Sequence, residues 1–146
     1  MADYGSLQVE ADAVLALLYA TSLTIYPSED GGAVTVPNGA APPYVTVHFA
    51  SERPLGGRLT TRSTRSRTRI YTHCVGADDI QARGVSDLVA GALLDVRPAI
   101  AGRTCFPIRH EGNREQPPRE DESIGALLVT LTEIYRLETL PGVDGS

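Results

Sequence analysis

Four side chains of this 146-residue sequence are of the kinds that bind metals or carry nucleophilic chemistry: His73, Cys74, Cys105 and His110. A zinc ion takes nitrogen and sulfur ligands of this type, but their spacing matches no established ligand pattern. His73 and Cys74 are adjacent in a stretch that reads as a strand, where neighbouring side chains point to opposite faces, so the two are poorly placed to share one ion. A thiol nucleophile with a histidine base is the other chemistry these residues offer. Nothing around Cys74 or Cys105 suggests a lowered thiol pKa, and the sequence has no nucleophile elbow, zincin or phosphate-loop motif. The thirteen basic residues are all arginine, so chemistry that needs a lysine amine is excluded. The expectation is two free thiols in the core, an exposed His73, and no catalytic residue, metal or cofactor.

The most unusual local feature is an arginine run, Arg58, Arg62, Arg65, Arg67 and Arg69, with no acid between residues 58 and 69. Its threonines suit an extended chain, and the period of two places Arg65, Arg67 and Arg69 on one face. Three readings stand side by side. The run is a solvated hairpin tip, an electrostatic contact with phosphate or an acidic protein surface, or one half of a head-to-tail contact between copies. The acidic cluster Glu120, Asp121 and Glu122 supplies the other half, as the heterologous contacts of a ring require. No aromatic residue interleaves the arginines, which argues against base stacking. Gly84 and Gly91 fall seven apart in a helical stretch, beside Ile80 and Asp87. They are tolerated drift on an exposed face or a smooth strip for a neighbouring subunit.

These residues need elements to hold them. Ile70–Val75 reads as a strand, Gly76-Ala77 as a break, and Asp78 as the N-cap of a helix with Gln81 three residues on. Ala82, Val85, Leu88, Val89, Ala92, Leu93 and Val96 form the expected core face, and Arg97 before Pro98 ends the helix. Residues 6–20 read as a first helix with Leu7, Ala11, Val14, Leu15 and Leu18 inward. Leu23–Tyr26 is a short strand, residues 28–43 a loop, and Tyr44–Val75 a long hairpin with the positive charge at its tip. Thr104–His110 is an edge strand interrupted by Pro107, and Gly112–Ser123 a polar loop. Ala126–Leu137 fits a strand; a helix also fits, and the β-branched and aromatic content favours the strand. The order α-β-β-β-α-β-β makes one α+β domain over residues 1–146. It has a mostly antiparallel sheet of four to five strands, with two helices packed on one face.

The length suits one domain, and the 42% hydrophobic content is that of a globular chain. The net charge of −5 argues against nucleic acid as a partner of the whole surface. The apolar run 13–20 is too short to span a bilayer, and the start of the sequence has no signal-peptide character. A soluble protein made in a cytoplasm is expected.

The chain resembles the tail terminator, or tail completion, proteins of long-tailed siphovirus-like bacteriophages, especially those of actinobacteria. The likeness lies in Tyr44–Val47, Ile70–Val75 with Gly76, and the helix with Ala82 and Leu88–Leu93. It continues through Ile100–Arg103, Pro107-Ile108, Glu120–Glu122, Tyr135–Leu137 and Pro141. The resemblance implies a non-enzymatic virion protein, a homo-oligomeric and usually hexameric ring at the head-proximal end of the tail. Such a ring ends polymerisation of the tail tube protein and meets a head–tail connector or neck protein, with genomic DNA passing through its lumen without sequence recognition. Assembly would take place in the host cytoplasm, with no membrane involved. A head-side connector or stopper, and a nucleic-acid-binding module using Arg58–Arg69, are the competing readings.

Overall fold

The computed structural model describes residues 7–28, 36–37, 39–52, 66–121 and 126–141. Two helices, α1 (Leu7–Tyr19) and α2 (Asp79–Leu93), accompany six strands: β1 (Ile25–Pro27), β2 (Tyr44–Glu52), β3 (Ser66–Gly76), β4 (Arg103–Cys105), β5 (Arg109–Asp121) and β6 (Ala126–Pro141). The sheet order is β1-β2-β3-β6-β4, with β5 also paired to β6. Among the described residues only β1 and β2 run parallel; the other pairs are antiparallel. The fold is the α+β domain expected, with one strand more than the sequence reading allowed.

Period-two alternation sets the register. Val45 and Val47 of β2, Ile70 and Cys74 of β3, and Tyr135 and Leu137 of β6 bury one sheet face. Val14 and Leu18 of α1, and Val85, Val89 and Leu93 of α2, cover that face and complete the core. The opposite face carries Thr46, His48, Arg67, Arg69, Tyr71, His73 and Thr132, and among the described residues no helix packs on it.

The strand-to-helix unit at the centre behaves as its sequence requires. Asp78 is extended and accepts a hydrogen bond from the Gln81 backbone N–H at 2.7 Å. The Gln81 side chain accepts in turn from the Ala77 N–H at 2.7 Å, so two donors at the helix start are satisfied reciprocally. Gly76 makes the turn possible by close approach: a Cβ there would sit 2.5 Å from the backbone nitrogen of Ala82. Gly76→Ala should therefore destabilise the fold by about 1–3 kcal/mol or more, since the obstructing atom is backbone. Chemical denaturation would read this as a lower midpoint at unchanged slope.

The helix ends at Leu93, three residues short of the expected Val96. Leu94 is extended, and Asp95 takes a left-handed φ of 62°. Beyond it the Asp95 N–H donates to Ile108 O at 2.8 Å and the Ile108 N–H to Val96 O at 2.9 Å, a pairing that no local pattern announces. Leu88, expected inside, is 49% exposed because it lies on the flank of the Ala82–Val89 stripe.

The largest departure is β5. The stretch expected to be a polar loop, Gly112–Ser123, is strand as far as Asp121. Its two prolines fall in a register shift between Gln116 and Arg119, where a ladder N–H is not required, and a second shift lies between His110 and Gly112. The expected strand over residues 104–110 is likewise divided into β4 and the start of β5, with Pro107 in the gap. Strand β6 runs on to Pro141, past the expected Leu137.

Candidate functional site

The exposed side of α2 is the most distinctive surface among the described residues. Ile80 is 81% exposed and Leu88 49%, and the helical repeat aligns them with Gly84, Asp87 and Gly91, while Leu94, 43% exposed, follows at the helix cap. A Cβ built at Gly84 or Gly91 would meet nothing within 4 Å in this chain. The two glycines thus leave a low strip between apolar projections, while each costs the helix about 1 kcal/mol relative to alanine. Gly84→Ala and Gly91→Ala should each raise monomer stability by up to about 1 kcal/mol. A thermal melt that showed loss instead would mean the strip is already packed against something within the chain.

The arginine run divides. Arg58, Arg62 and Arg65 lie outside the described residues, whereas Arg67 and Arg69 stand on the helix-free face of β3 as the period-two reading requires. Both have acidic partners. Arg67 Nε pairs with Glu138 at 3.3 Å, and Arg69 Nε with Glu111 at 3.0 Å. Arg136 bridges the two acids, 3.3 Å from Glu111 and 3.4 Å from Glu138, so five alternating charges cross β3, β6 and β5. Exposed pairs of this kind add little stability individually, but they give both arginines acidic partners within their own chain, three guanidiniums sharing two carboxylates so that the network keeps one net positive charge. Of the acidic cluster, Glu120 and Asp121 belong to β5, opposite Leu127 and Ala126, rather than to a loop. Glu122 lies outside the described residues.

His73 and Cys74 are split as strand geometry demands. Cys74 is fully buried on the helix side, and burial, reinforced by Glu133, pushes its thiol up to about 12. Cys105 is also buried and its thiol raised, first by burial and then by Glu10. Both are free cysteines held as thiols, the inert form. His110 Nε2 lies 2.5 Å from Glu133 Oε2, the carboxylate that α2's Ser86 also contacts. No three His, Cys, Asp or Glu side chains among the described residues are grouped to hold a metal.

His73 is half-buried instead of exposed. Its Nδ1 lies 2.9 Å from Thr132 Oγ1 and its Nε2 3.3 Å from His48 Nδ1. The His48 ring stacks on Tyr71 with centroids 4.6 Å apart. Burial lowers the pKa of both histidines, and at His73 the neighbouring His48 lowers it further. A lowered folded pKa means that the unfolded chain binds more protons, so the pair's contribution is intact above the ordinary value of 6.5 and lost as pH falls below it. Urea midpoints should drop between pH 7.5 and 5 by more in the native chain than in a His48→Gln/His73→Gln variant.

Sequence reasoning missed Glu10. It lies on the inward side of α1, 3% exposed, one turn before Val14. Its carboxylate accepts hydrogen bonds from Ser66 Oγ, from Thr68 Oγ1 at 2.9 Å and from Thr139 Oγ1 at 2.5 Å. Arg103 Nη2 in turn donates to Thr139 Oγ1 at 2.8 Å and Ser66 Oγ at 3.2 Å. An acid at helical spacing within an apolar stripe is the signal that was available.

The molecule is thus an α+β domain with one covered sheet face and an apolar, glycine-smoothed helix flank. No protein-family model matches the chain, and no curated protein does. Among solved structures, a chain from the virion of a native gene transfer agent particle is similar to it, at 13% sequence identity and a TM-score of 0.64. The match covers 94% of this chain and 100% of that one, so the likeness is of the whole fold.

Proposed function

We propose that this chain is a structural protein of a phage-like virion and, more narrowly, that it forms a ring closing the head-proximal end of a tail tube. The observation that carries this reading is the near end-to-end match in fold with a chain of a gene transfer agent virion. The tail-terminator pattern in the sequence points the same way. In this reading the α2 flank, with Ile80, Leu88 and Leu94 around Gly84 and Gly91, is where neighbouring copies meet. The protein acts by shape and turns over no substrate, in keeping with two thiols held protonated by burial. The ring, hexameric on the family pattern, stops addition of tube protein on one side and meets the neck on the other, and DNA crosses its lumen unread.

Purified chain mixed with polymerising tube subunits tests this directly. Elongation should stop, with tube length falling as the ratio of chain to tube subunit rises. Binding to emptied capsids with no effect on tubes would instead make it a head-side connector. A third reading, nucleic-acid binding through the arginine run, is weakened by the acidic partners that Arg67 and Arg69 already have.

A further inference from the structure

We propose that His48 and His73 form a two-imidazole chelate for a divalent transition ion of the zinc type. The two residues lie diagonally on the same face of adjacent antiparallel strands, two residues off direct register, with His48 opposite Tyr71 and His73 opposite Thr46. Their facing nitrogens, His48 Nδ1 and His73 Nε2, are 3.3 Å apart. A tetrahedral zinc ion with bonds of about 2.0–2.1 Å sets its ligand nitrogens about 3.3–3.4 Å from one another. The spacing thus suits an ion with small rotations of the rings.

The rings are also held in advance. His48 lies flat on Tyr71, with an interplanar angle of 4°, and packs against His73 with centroids 5.1 Å apart. Thr132 Oγ1 sits 2.9 Å behind His73 Nδ1. When that nitrogen donates to the hydroxyl, Nε2 presents its lone pair, the outer-shell arrangement that orients ligating histidines. Ion binding then needs one change at His48, whose proton moves from Nδ1 to Nε2, so no net proton is released. Burial keeps both rings neutral further into acid than ordinary histidines. Only two ligands come from the chain and water fills the other positions, which selects ions that favour imidazole nitrogen over carboxylate oxygen. The site lies on the helix-free face, away from the α2 flank, and does not depend on ring assembly.

The full chain titrated with zinc sulfate alone, in a non-chelating buffer at pH 7.5, tests this by calorimetry and by the imidazole resonances. One equivalent should bind, moving the His48 and His73 resonances and leaving those of His110 in place. His48→Gln or His73→Gln should weaken binding more than Thr132→Val, which costs roughly tenfold, while His110→Gln should leave it unchanged. The resonances of the unaltered chain give the answer even if a variant folds poorly. Shifts confined to His110, no stoichiometric heat, or full affinity in a folded His48→Gln/His73→Gln chain would overturn the assignment.

Discussion

Replacing Glu10 with alanine should lower the unfolding free energy by about 3–5 kcal/mol, a large share of the 5–15 kcal/mol typical of a domain. The carboxylate is 3% exposed and takes three hydroxyl donors from two strands, Ser66 and Thr68 on β3 and Thr139 on β6. Without it those hydroxyls lose their common acceptor, and Arg103, bonded to two of them, loses the carboxylate beneath them. A buried donor left without its acceptor costs more than the bond contributed while intact. Glu10→Gln keeps one acceptor oxygen and should cost less. For a chain of this length the alanine variant should melt roughly 6–20 °C lower, by differential scanning calorimetry. A shift under about 2 °C would mean the cluster is satisfied by water and is not part of the core.

Changing Ile80 and Leu88 together to aspartate should remove self-association while leaving the fold intact. Both side chains already face solvent in the isolated chain, so the substitutions should alter its own stability by no more than about 0.5 kcal/mol each. At an interface they would be apolar anchors, each contributing about 2 kcal/mol or more. Losing both weakens each contact roughly a thousandfold. Light scattering of the variant should give the monomer mass of 15.6 kDa at concentrations where the native chain is larger. An unchanged assembly would move the subunit contact off α2.

What could be read from the sequence was what local physics decides. The helix at Asp79 starts where Asp78 and Gln81 put it, and β2 and β3 pair in the register that their alternation sets. What could not be read depends on partners distant in the chain. Arg67 and Arg69 look like free positive charge until Glu138 and Glu111, 71 and 42 residues away, are brought beside them. β5 has the composition of a loop, and only its pairing to β6, with bulges absorbing Pro117-Pro118, makes it a strand. His48 and His73 sit 25 residues apart and meet only through the hairpin register, which no local spacing of ligand-type residues announces. Arg58, Arg62, Arg65 and Glu122, the remainder of the expected contact surface, lie outside the described residues.

Electron microscopy of tail tubes grown in the presence of this chain tests the central proposal most directly. Rings of the protein seated at one end of each tube, on tubes that no longer lengthen, are the predicted result. Tubes that grow on with bare ends, beside a chain that stays monomeric, would contradict it.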